Sequence, residues 1–243
     1  MKKFIAYFDI LGYRERIKSK SLDEEYKIQE KFIKDTKEII VDKPSGGAHF
    51  QEIHFSDTHI FYTNESSEDA FEMIIKSSLV FMSIAAVRTP PYFPLRGAVE
   101  YGDFLADDGN KIFIGDGLRK AYDLSEKQNW MGCCLSDSCY EQVKNFRIFE
   151  EFLKQQVLIE YLVPFKGEAK DKYVINMEAF LRVFGKESKD MPLCDPEFIK
   201  NIFINKGEND SGIIELDESA REKLKNTQKF FKYVKDNFKH NTV

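Results

Sequence analysis

Two aspartates interrupt apolar runs and could act together on a metal ion. Asp9 ends the apolar part of "KKFIAYFDILGY", and Asp57 lies within "EIHFSDTHIFYT". Two carboxylates that are brought together repel each other unless a cation lies between them. Mg²⁺ and Mn²⁺ accept oxygen ligands and are commonly held by one or two carboxylates plus substrate phosphates. The pair therefore predicts a divalent-metal site for a nucleoside triphosphate, with no organic cofactor.

The residues after Asp9 could contribute to binding the phosphates. Gly12 leaves the stretch "GYRER" free to turn. Backbone N–H groups at the start of a helix can face an anion. The sequence therefore predicts phosphate contacts directly after the first aspartate.

A strand and a hairpin must position the two aspartates. Residues 3–11 predict a buried strand, and 49–55 with 58–63 predict a hairpin that has Asp57 at its tip. If these strands are neighbours in one sheet, the hairpin tip can approach the end of the first strand. The other predicted elements are an amphipathic helix at 22–41 with Tyr26, Phe32, Ile33, Ile39 and Ile40 on its apolar side, a loop at 42–48, a helix from Ser66 or Ser67 to about Arg88, a strand at 95–102, a helix in "FIGDGLRKAYDLSEKQ", and strands in "MGCCLS", "VLIEYLVPF" and "KYVINM".

The order of these elements predicts an α+β fold. It fits a ferredoxin-like βαββαβ core in which the helices cover one face of the sheet. The tail from about residue 179 is polar and has a helical pattern. We therefore expect a catalytic core at 1–178 and a helical C-terminal extension at 179–243.

Composition narrows the class of protein. The chain has 243 residues, 32% of them charged, and a net charge of −5, which argues against a nucleic-acid partner. The N-terminal apolar run is too short for a signal peptide, and no apolar run approaches the ~20 residues that a membrane span needs. The four cysteines form no CxxC pair, which favours reduced, buried thiols. We therefore expect a cytoplasmic protein with no membrane partner.

Three histidines at 49, 54 and 59 raise the alternative of a zinc site. Their spacing of five places successive side chains on opposite faces of an extended strand. No cysteine lies nearby in the sequence. The pattern therefore argues against a histidine metal site.

Five stretches resemble, in order, the class III nucleotidyl cyclase domain. They are "FDILGY", "FSDTHIFY", "LRGAVEYGD", "FIGDGLRKAYDL" and "FKGEAKDKYVIN", and they cover roughly residues 3–177. The resemblance implies a palm-type fold and a head-to-tail homodimer with active sites at the interface. It also implies that Asp9 and Asp57, helped by the Ile10 carbonyl, hold two Mn²⁺ or Mg²⁺ ions.

The resemblance also implies where the phosphates bind. The backbone at Leu11, Gly12 and Tyr13 would contact them, and Lys166 matches the phosphate-binding lysine of the family. The alternatives for this lysine are Lys170 and Lys172.

Two isoleucines depart from the purine-specific members of the family. Ile53 and Ile112 occupy positions at which purine cyclases carry polar residues that recognise the base. An isoleucine side chain has no group that can hydrogen-bond a purine edge. The chain therefore resembles the bacterial pyrimidine cyclases of antiphage defence, which favours UTP, or CTP, as the substrate. The aromatic residues that could fill the space of a purine ring are Tyr7, Phe8, Phe55 and Phe61.

A second departure concerns the cation that stabilises the transition state. Arg119 stands where the family has its ribose-positioning asparagine, and Asp123 stands where it has an arginine. Since these residues are four apart on one helix, a surface ion pair between them is one interpretation. Alternatively, Arg119 is a catalytic cation that reaches the triphosphate across the dimer. Arg96 is another candidate for this cation.

The expected reaction is intramolecular cyclisation. The ribose 3′-hydroxyl attacks the α-phosphorus and pyrophosphate leaves, which gives cyclic UMP or cyclic CMP. One metal ion would activate the hydroxyl and the other would steady the leaving group. The alternatives are a degenerate homologue that senses a nucleotide without turnover, a purine cyclase, and another palm-fold enzyme such as a dinucleotide synthase.

Overall fold

A computed structural model describes five segments of the chain, residues 1–41, 50–87, 92–183, 192–204 and 216–238. The predicted loop at 42–48, and also His49, Arg88 and His240, lie outside these residues.

One seven-stranded sheet forms the centre of the molecule. Its strands are β1 (Lys2–Ile10), β2 (Phe50–Phe55), β3 (Thr58–Thr63), β4 (Leu95–Asp103), β7 (Gly132–Leu135), β8 (Leu158–Phe165) and β9 (Glu168–Ile175). They lie in the order β2-β3-β1-β4-β7-β9-β8. The β4–β7 pair is parallel, and the other neighbouring pairs are antiparallel. The hairpin β2–β3 therefore lies beside β1, as the sequence predicts.

Helices and one small hairpin complete the described part of the chain. The helices are α1 (Tyr13–Ser19), α2 (Leu22–Val41), α3 (Glu68–Val87), α4 (Asp116–Lys127), α5 (Asp137–Val143), α6 (Arg147–Lys154), α7 (Phe180–Val183), α8 (Pro196–Ile204) and α9 (Glu218–Asn237). Short 3-10 turns cover Met177–Ala179 and Pro192–Cys194. The small hairpin joins β5 (Leu105–Asp107) to β6 (Ile112–Ile114).

Alternation along β1 divides the core into two layers. Phe4 and Phe8 belong to the large apolar cluster and pack against Phe71 and Phe81 of α3. Tyr7, on the opposite face, belongs to a smaller cluster that includes Ala121 of α4. Because side chains alternate between the faces of a strand, Asp9 shares the face of Tyr7.

The expectation that helices cover one face of the sheet is wrong for α4. This helix packs on the face opposite α3, where Gly102 of β4 meets Gly117 of α4. A Cβ atom at Gly102 would lie only 2.8 Å from the Cα atom of Gly117. Two glycines thus allow helix and strand to approach closely, which brings the end of α4 over the end of β1.

Several predicted elements agree with the structure, and two details differ. Helix α2 has the predicted bounds, but Tyr26 is 66% exposed and does not lie on its apolar side. The Ser67 hydroxyl accepts a hydrogen bond from the Ala70 N–H at 3.1 Å, so Ser67 caps α3 as predicted. We expected no apolar run long enough to span a membrane, but helix α3 is long and apolar enough by composition. Of its apolar stretch, 78% is buried inside the protein.

The described helices of the tail pack onto the core. Phe230 of α9 makes an edge-to-face contact with Trp130, with ring centroids 4.7 Å apart. Phe230 and Val234 belong to the same apolar cluster as β1 and α3. This packing places the middle of α9 close to the segment that follows α4.

Candidate active site

The end of β1 and the tip of the β2–β3 hairpin bring the two aspartates together. Asp9 is paired with Thr58 in the register of the β1–β3 ladder. The Ile10 N–H donates to the Asp57 carbonyl oxygen at 3.1 Å. Ser56 has a left-handed backbone (φ 56°), which forms the tight turn before Asp57. The hairpin tip therefore lies against the strand end that carries Asp9.

Asp9 is a buried carboxylate held by a guanidinium. Arg96, its cross-strand partner in β4, donates from Nε to Oδ1 at 3.2 Å and from Nη2 to Oδ2 at 3.0 Å. The Ser125 hydroxyl of α4 donates to Oδ1 at 2.9 Å. Burial raises the pKa of Asp9, and this effect exceeds the opposing effect of Arg96 and Ser125. The carboxylate is thus oriented from two elements and would gain from further positive charge.

The donor set fits a divalent metal that also binds substrate. A carboxylate offers about four lone-pair positions, and the three hydrogen bonds to Asp9 leave one of them on Oδ2. Asp57 and the Ile10 carbonyl add oxygen donors of the kind that Mg²⁺ and Mn²⁺ prefer. Within the described residues, no group of three or more His, Cys, Asp or Glu side chains could hold a metal alone. These donors leave positions in the coordination shell for phosphate oxygens or water.

Tyr7 lies among three carboxylates of this region. Its hydroxyl is 3.2 Å from the Thr58 hydroxyl. Burial, together with the negative charges of Asp9, Asp57 and Glu126, raises the pKa of Tyr7 from 10.0 to about 12, against a lowering effect of Thr58. Tyr7 therefore keeps its proton at neutral pH and can donate a hydrogen bond.

Glu126 links two cations beside Asp9. Its carboxylate forms a short ion pair with Nη2 of Arg96, and its other oxygen lies 3.8 Å from Nζ of Lys166. The backbone N–H of Lys166 donates to the Lys127 carbonyl oxygen at 2.8 Å. Lys166 is therefore anchored beside the end of α4. The two alternatives pair elsewhere, Lys170 with Glu168 and Lys172 with Asp137.

In the predicted phosphate-binding loop, residues 11–13, one backbone N–H already has a hydrogen-bond partner. Gly12 has a left-handed backbone (φ 77°) directly before α1, which is a conformation that favours glycine. The Leu11 N–H donates to the Pro94 carbonyl oxygen at 2.8 Å, so it would have to leave that bond to contact a phosphate. The Tyr13 hydroxyl accepts a hydrogen bond from the Gln29 amide at 2.9 Å.

The predicted base-pocket residues differ in their exposure. Ile53, on edge strand β2, packs against the smaller cluster that contains Tyr7. Ile112 at the start of β6 is 46% exposed, and Phe55 at the end of β2 is 77% exposed. The other predicted pocket aromatics, Phe8 and Phe61, are fully buried in the large cluster and serve as core. Two of the three predicted base-pocket residues are therefore exposed in a single chain.

Arg119 lies on the exposed surface of α4. Its guanidinium donates to Asp116 Oδ1 from Nε at 3.0 Å and from Nη2 at 2.7 Å, and to Asp123 Oδ2 from Nη1 at 2.6 Å. The surface-pair interpretation of Arg119 and Asp123 is thus confirmed for a single chain. Arg96, in contrast, contacts Asp9 directly.

The argument from histidine spacing is wrong for two of the three residues. His54 and His59 are opposite each other across the β2–β3 hairpin, so they share a face although they are five apart. Their Nδ1 atoms lie 2.6 Å apart. Burial, followed by the neighbouring His54, lowers the pKa of His59 from 6.5 to about 3. The spacing rule failed because a turn intervenes between them.

Ser125 and Glu126 contact the site, and sequence reasoning did not single them out. Both lie in the last turn of α4, far from Asp9 in the sequence. Their position depends on the close contact between α4 and β4. The pair of glycines at 102 and 117 was the sequence signal that could have indicated this contact.

The sequence and fold of this chain were compared with known proteins and solved structures. No protein-family model and no curated protein matches this sequence. The guanylate cyclase domain of RhGC from Catenaria anguillulae, in complex with GTP, is 14% identical and has a TM-score of 0.53, with 72% of this chain and 96% of that chain covered. The catalytic core of a rhodopsin-guanylyl cyclase with converted specificity, in complex with ATPalphaS, is also 14% identical, with a TM-score of 0.54 and coverage of 72% and 94%. The guanylyl cyclase domain of the RhoGC fusion protein from the fungus Blastocladiella emersonii is 12% identical, with a TM-score of 0.53 and coverage of 72% and 95%.

At these identities the likeness establishes the fold. It agrees with the α+β core that the order of elements predicted. The chain therefore has the fold of class III nucleotidyl cyclase domains.

Proposed function

We propose that this protein is a pyrimidine nucleotide cyclase that converts UTP, or CTP, to the 3′,5′-cyclic monophosphate and pyrophosphate. The observation that carries this proposal is the placement of Asp57 against the strand end that carries Asp9, with Arg96 beside it. Two carboxylates and a guanidinium together suit a metal-bound polyphosphate. The fold supports the proposal, since the similar domains named above are cyclases and two of them hold GTP or ATPalphaS.

Each residue of the site has a distinct role in this proposal. Asp9, Asp57 and the Ile10 carbonyl would hold two Mn²⁺ or Mg²⁺ ions. These ions would supply the charge that lowers the pKa of the attacking hydroxyl and stabilises the leaving pyrophosphate. Ser125 and Arg96 fix the orientation of the Asp9 carboxylate.

The reaction replaces one bond to the α-phosphorus by another and releases a proton. The ribose 3′-oxygen bonds to the α-phosphorus, the bond from the α-phosphorus to the bridging oxygen breaks, and the hydroxyl proton passes to solvent. Lys166 would bind the phosphates of the leaving pyrophosphate, together with Arg96 once the Glu126 carboxylate leaves that guanidinium. The charge that develops there needs such cations. The turn at Gly12 and Tyr13 would add backbone contacts.

Base selection would come from the apolar walls at Ile53 and Ile112. A purine would bury its polar edge against these side chains, at a cost of roughly 1–3 kcal/mol for each unpaired group. A pyrimidine ring is smaller than a purine, so the side chains of Ile53 and Ile112 could pack directly against it. The proposal therefore places UTP or CTP ahead of ATP and GTP.

A homodimer would cover the exposed base-pocket residues. Exposed apolar side chains lie on β2, the β5–β6 hairpin and α4: Phe55, Leu105, Ile112, Ile114 and Tyr122. Covering them with a second copy would shield apolar area from water. The same arrangement would bring Arg119 of one chain toward the site of the other.

Domain roles and cellular context complete the proposal. Residues 1–178 would form the catalytic domain, and 179–243 a helical extension. Because the chain resembles the pyrimidine cyclases of antiphage defence, we propose that its cyclic product acts as a second messenger in that defence, in the cytoplasm.

A nucleotide sensor without turnover is the second candidate. One observation favours it: within one chain Arg119 is held by Asp116 and Asp123. The resemblance also implies that Asp123 replaces the arginine of the family. A sensor would bind a triphosphate and release no pyrophosphate.

Substitution of Asp57 tests the proposed site. We expect Asp57→Ala to reduce Mn²⁺-dependent pyrophosphate release by about a hundredfold or more, since charge stabilisation at the reacting phosphate is lost. The fold should persist because Asp57 lies at a hairpin tip. Asp171→Ala, at an exposed position of β9, is the matched control. Full activity in folded Asp57→Ala would refute the two-carboxylate site.

A further inference from the structure

A lysine of the C-terminal helix, Lys223, lies near Arg96 and Lys166 of the candidate site. Helix α9 rests on the segment that follows α4. The Asn226 amide donates to the Asn129 carbonyl oxygen at 2.9 Å, and the Thr227 hydroxyl accepts from the Met131 N–H at 2.8 Å. Lys223 is three and four residues before these contacts, so it lies on the same face of α9.

The segment under this helix face also accepts hydrogen bonds from Arg96 and Lys166. Nη1 of Arg96 donates to the Gln128 carbonyl oxygen at 3.3 Å, and the Lys166 N–H donates to the Lys127 carbonyl oxygen at 2.8 Å. A single stretch, residues 127–131, is therefore contacted by Arg96, Lys166 and α9.

Two cations and two carboxylates act on Lys223. Burial, followed by the charges of Arg96 and Lys166, lowers the pKa of Lys223, and Asp217 and Glu222 oppose this only in part. Its Nζ donates to the Ser219 hydroxyl at 2.5 Å. Cations held together in this way gain from a bound anion. Glu126, which pairs with Arg96 and Lys166, supplies one negative charge there.

We propose that Lys223 binds the terminal phosphates of the nucleoside triphosphate, together with Arg96 and Lys166 of the same chain. The inference rests on the proposed function and extends it, because it makes the C-terminal helix part of the substrate site. Glu126 then occupies the position of a phosphate and releases its cations when the substrate enters.

Binding of inorganic tripolyphosphate tests this inference without requiring turnover. Calorimetry should give a dissociation constant about tenfold higher for Lys223→Met than for the wild type, since a charge-assisted contact is lost. Lys223→Arg should restore most of the affinity. Lys225→Met, at an exposed position of the same helix, should bind like the wild type. Glu126→Gln should bind more tightly, because its two cations are released.

The results separate this inference from the proposed function. Tight binding by the wild type and weak binding by Lys223→Met would support the role of Lys223 even if no cyclic product forms. In an active enzyme, Lys223→Met should raise KM for the triphosphate more than it lowers kcat. Unchanged tripolyphosphate binding in Lys223→Met, an equal loss in Lys225→Met, or no binding by the wild type would overturn the inference. Equal melting temperatures of the variants would exclude a folding defect.

Discussion

At the scale of single residues, Asp9 is a carboxyl group at the end of the apolar part of β1. It is buried, it accepts three hydrogen bonds, and burial still raises its pKa. The sequence predicted a metal-binding role from its position at the end of an apolar strand. It did not predict Arg96 as its partner, because that contact depends on the register of β1 with β4.

The raised pKa of Asp9 predicts a pH dependence of stability. A carboxyl whose pKa is higher in the folded than in the unfolded state contributes stability at low pH, and this contribution is lost as the pH rises through the folded pKa. In metal-free buffer, the free energy of unfolding of the wild type should therefore fall above pH 3.8, the ordinary pKa of the group, relative to Asp9→Asn. Denaturant unfolding at a series of pH values measures this difference.

The control for this measurement is Asp171→Asn, since Asp171 is exposed on β9. Its pH profile should follow that of the wild type. An Asp9→Asn profile parallel to the wild-type profile would contradict the effect of burial on Asp9.

At the scale of elements, α4 decides how the site is assembled. Apolar alternation predicted β1 and the hairpin, and helical periodicity with a serine cap predicted α2 and α3. Neither pattern indicated the face on which α4 packs, because that depends on backbone approach between Gly102 and Gly117. Ser125 and Glu126 were missed for the same reason.

Replacing Gly102 should therefore impair both stability and turnover. A Cβ at this position would lie 2.8 Å from the Cα atom of Gly117, so α4 must move away. We expect Gly102→Ala to lower the free energy of unfolding by about 1–3 kcal/mol. Pyrophosphate release should fall as well, because Ser125 would lose its contact with Asp9.

A second glycine provides a matched comparison. At Gly109, a Cβ would meet only Asp107 Oδ1, at 3.4 Å. Gly109→Ala should therefore change the free energy of unfolding by less than about 0.5 kcal/mol. Equal effects at the two glycines would show that the contact between α4 and β4 does not determine the site.

At the scale of the whole molecule, the proposed dimer would cover Phe55, Ile112 and Arg119, which are exposed in a single chain. The sequence indicated the dimer only through its resemblance to cyclase domains, since an interface between chains leaves no local pattern. The tail was predicted to be helical. Its packing on Trp130 was not predicted, because the contact joins residues about a hundred positions apart.

Mixed dimers test whether the site is composite. Neither Asp57→Ala nor Arg119→Ala should be active alone if each site needs both residues from different chains. Mixing them should restore roughly a quarter of wild-type activity, because half of the randomly paired dimers regain one intact site of two. Pyrophosphate release after refolding the mixture measures this recovery.

Failure of recovery in confirmed mixed dimers would place each site within one chain. High activity of Arg119→Ala alone would remove this residue from the reaction. In that case Arg96 would be the main cation of the site.

The central claim is cyclisation of a pyrimidine nucleotide, and a competition experiment tests it most directly. The protein is incubated with UTP, CTP, ATP and GTP at equal concentrations and Mn²⁺, and the cyclic products are quantified by mass spectrometry. We predict cyclic UMP or cyclic CMP in about tenfold or greater excess over either purine product, since 1.4 kcal/mol corresponds to a factor of ten. Equal or faster cyclisation of ATP or GTP, or the absence of any cyclic product, would contradict the claim.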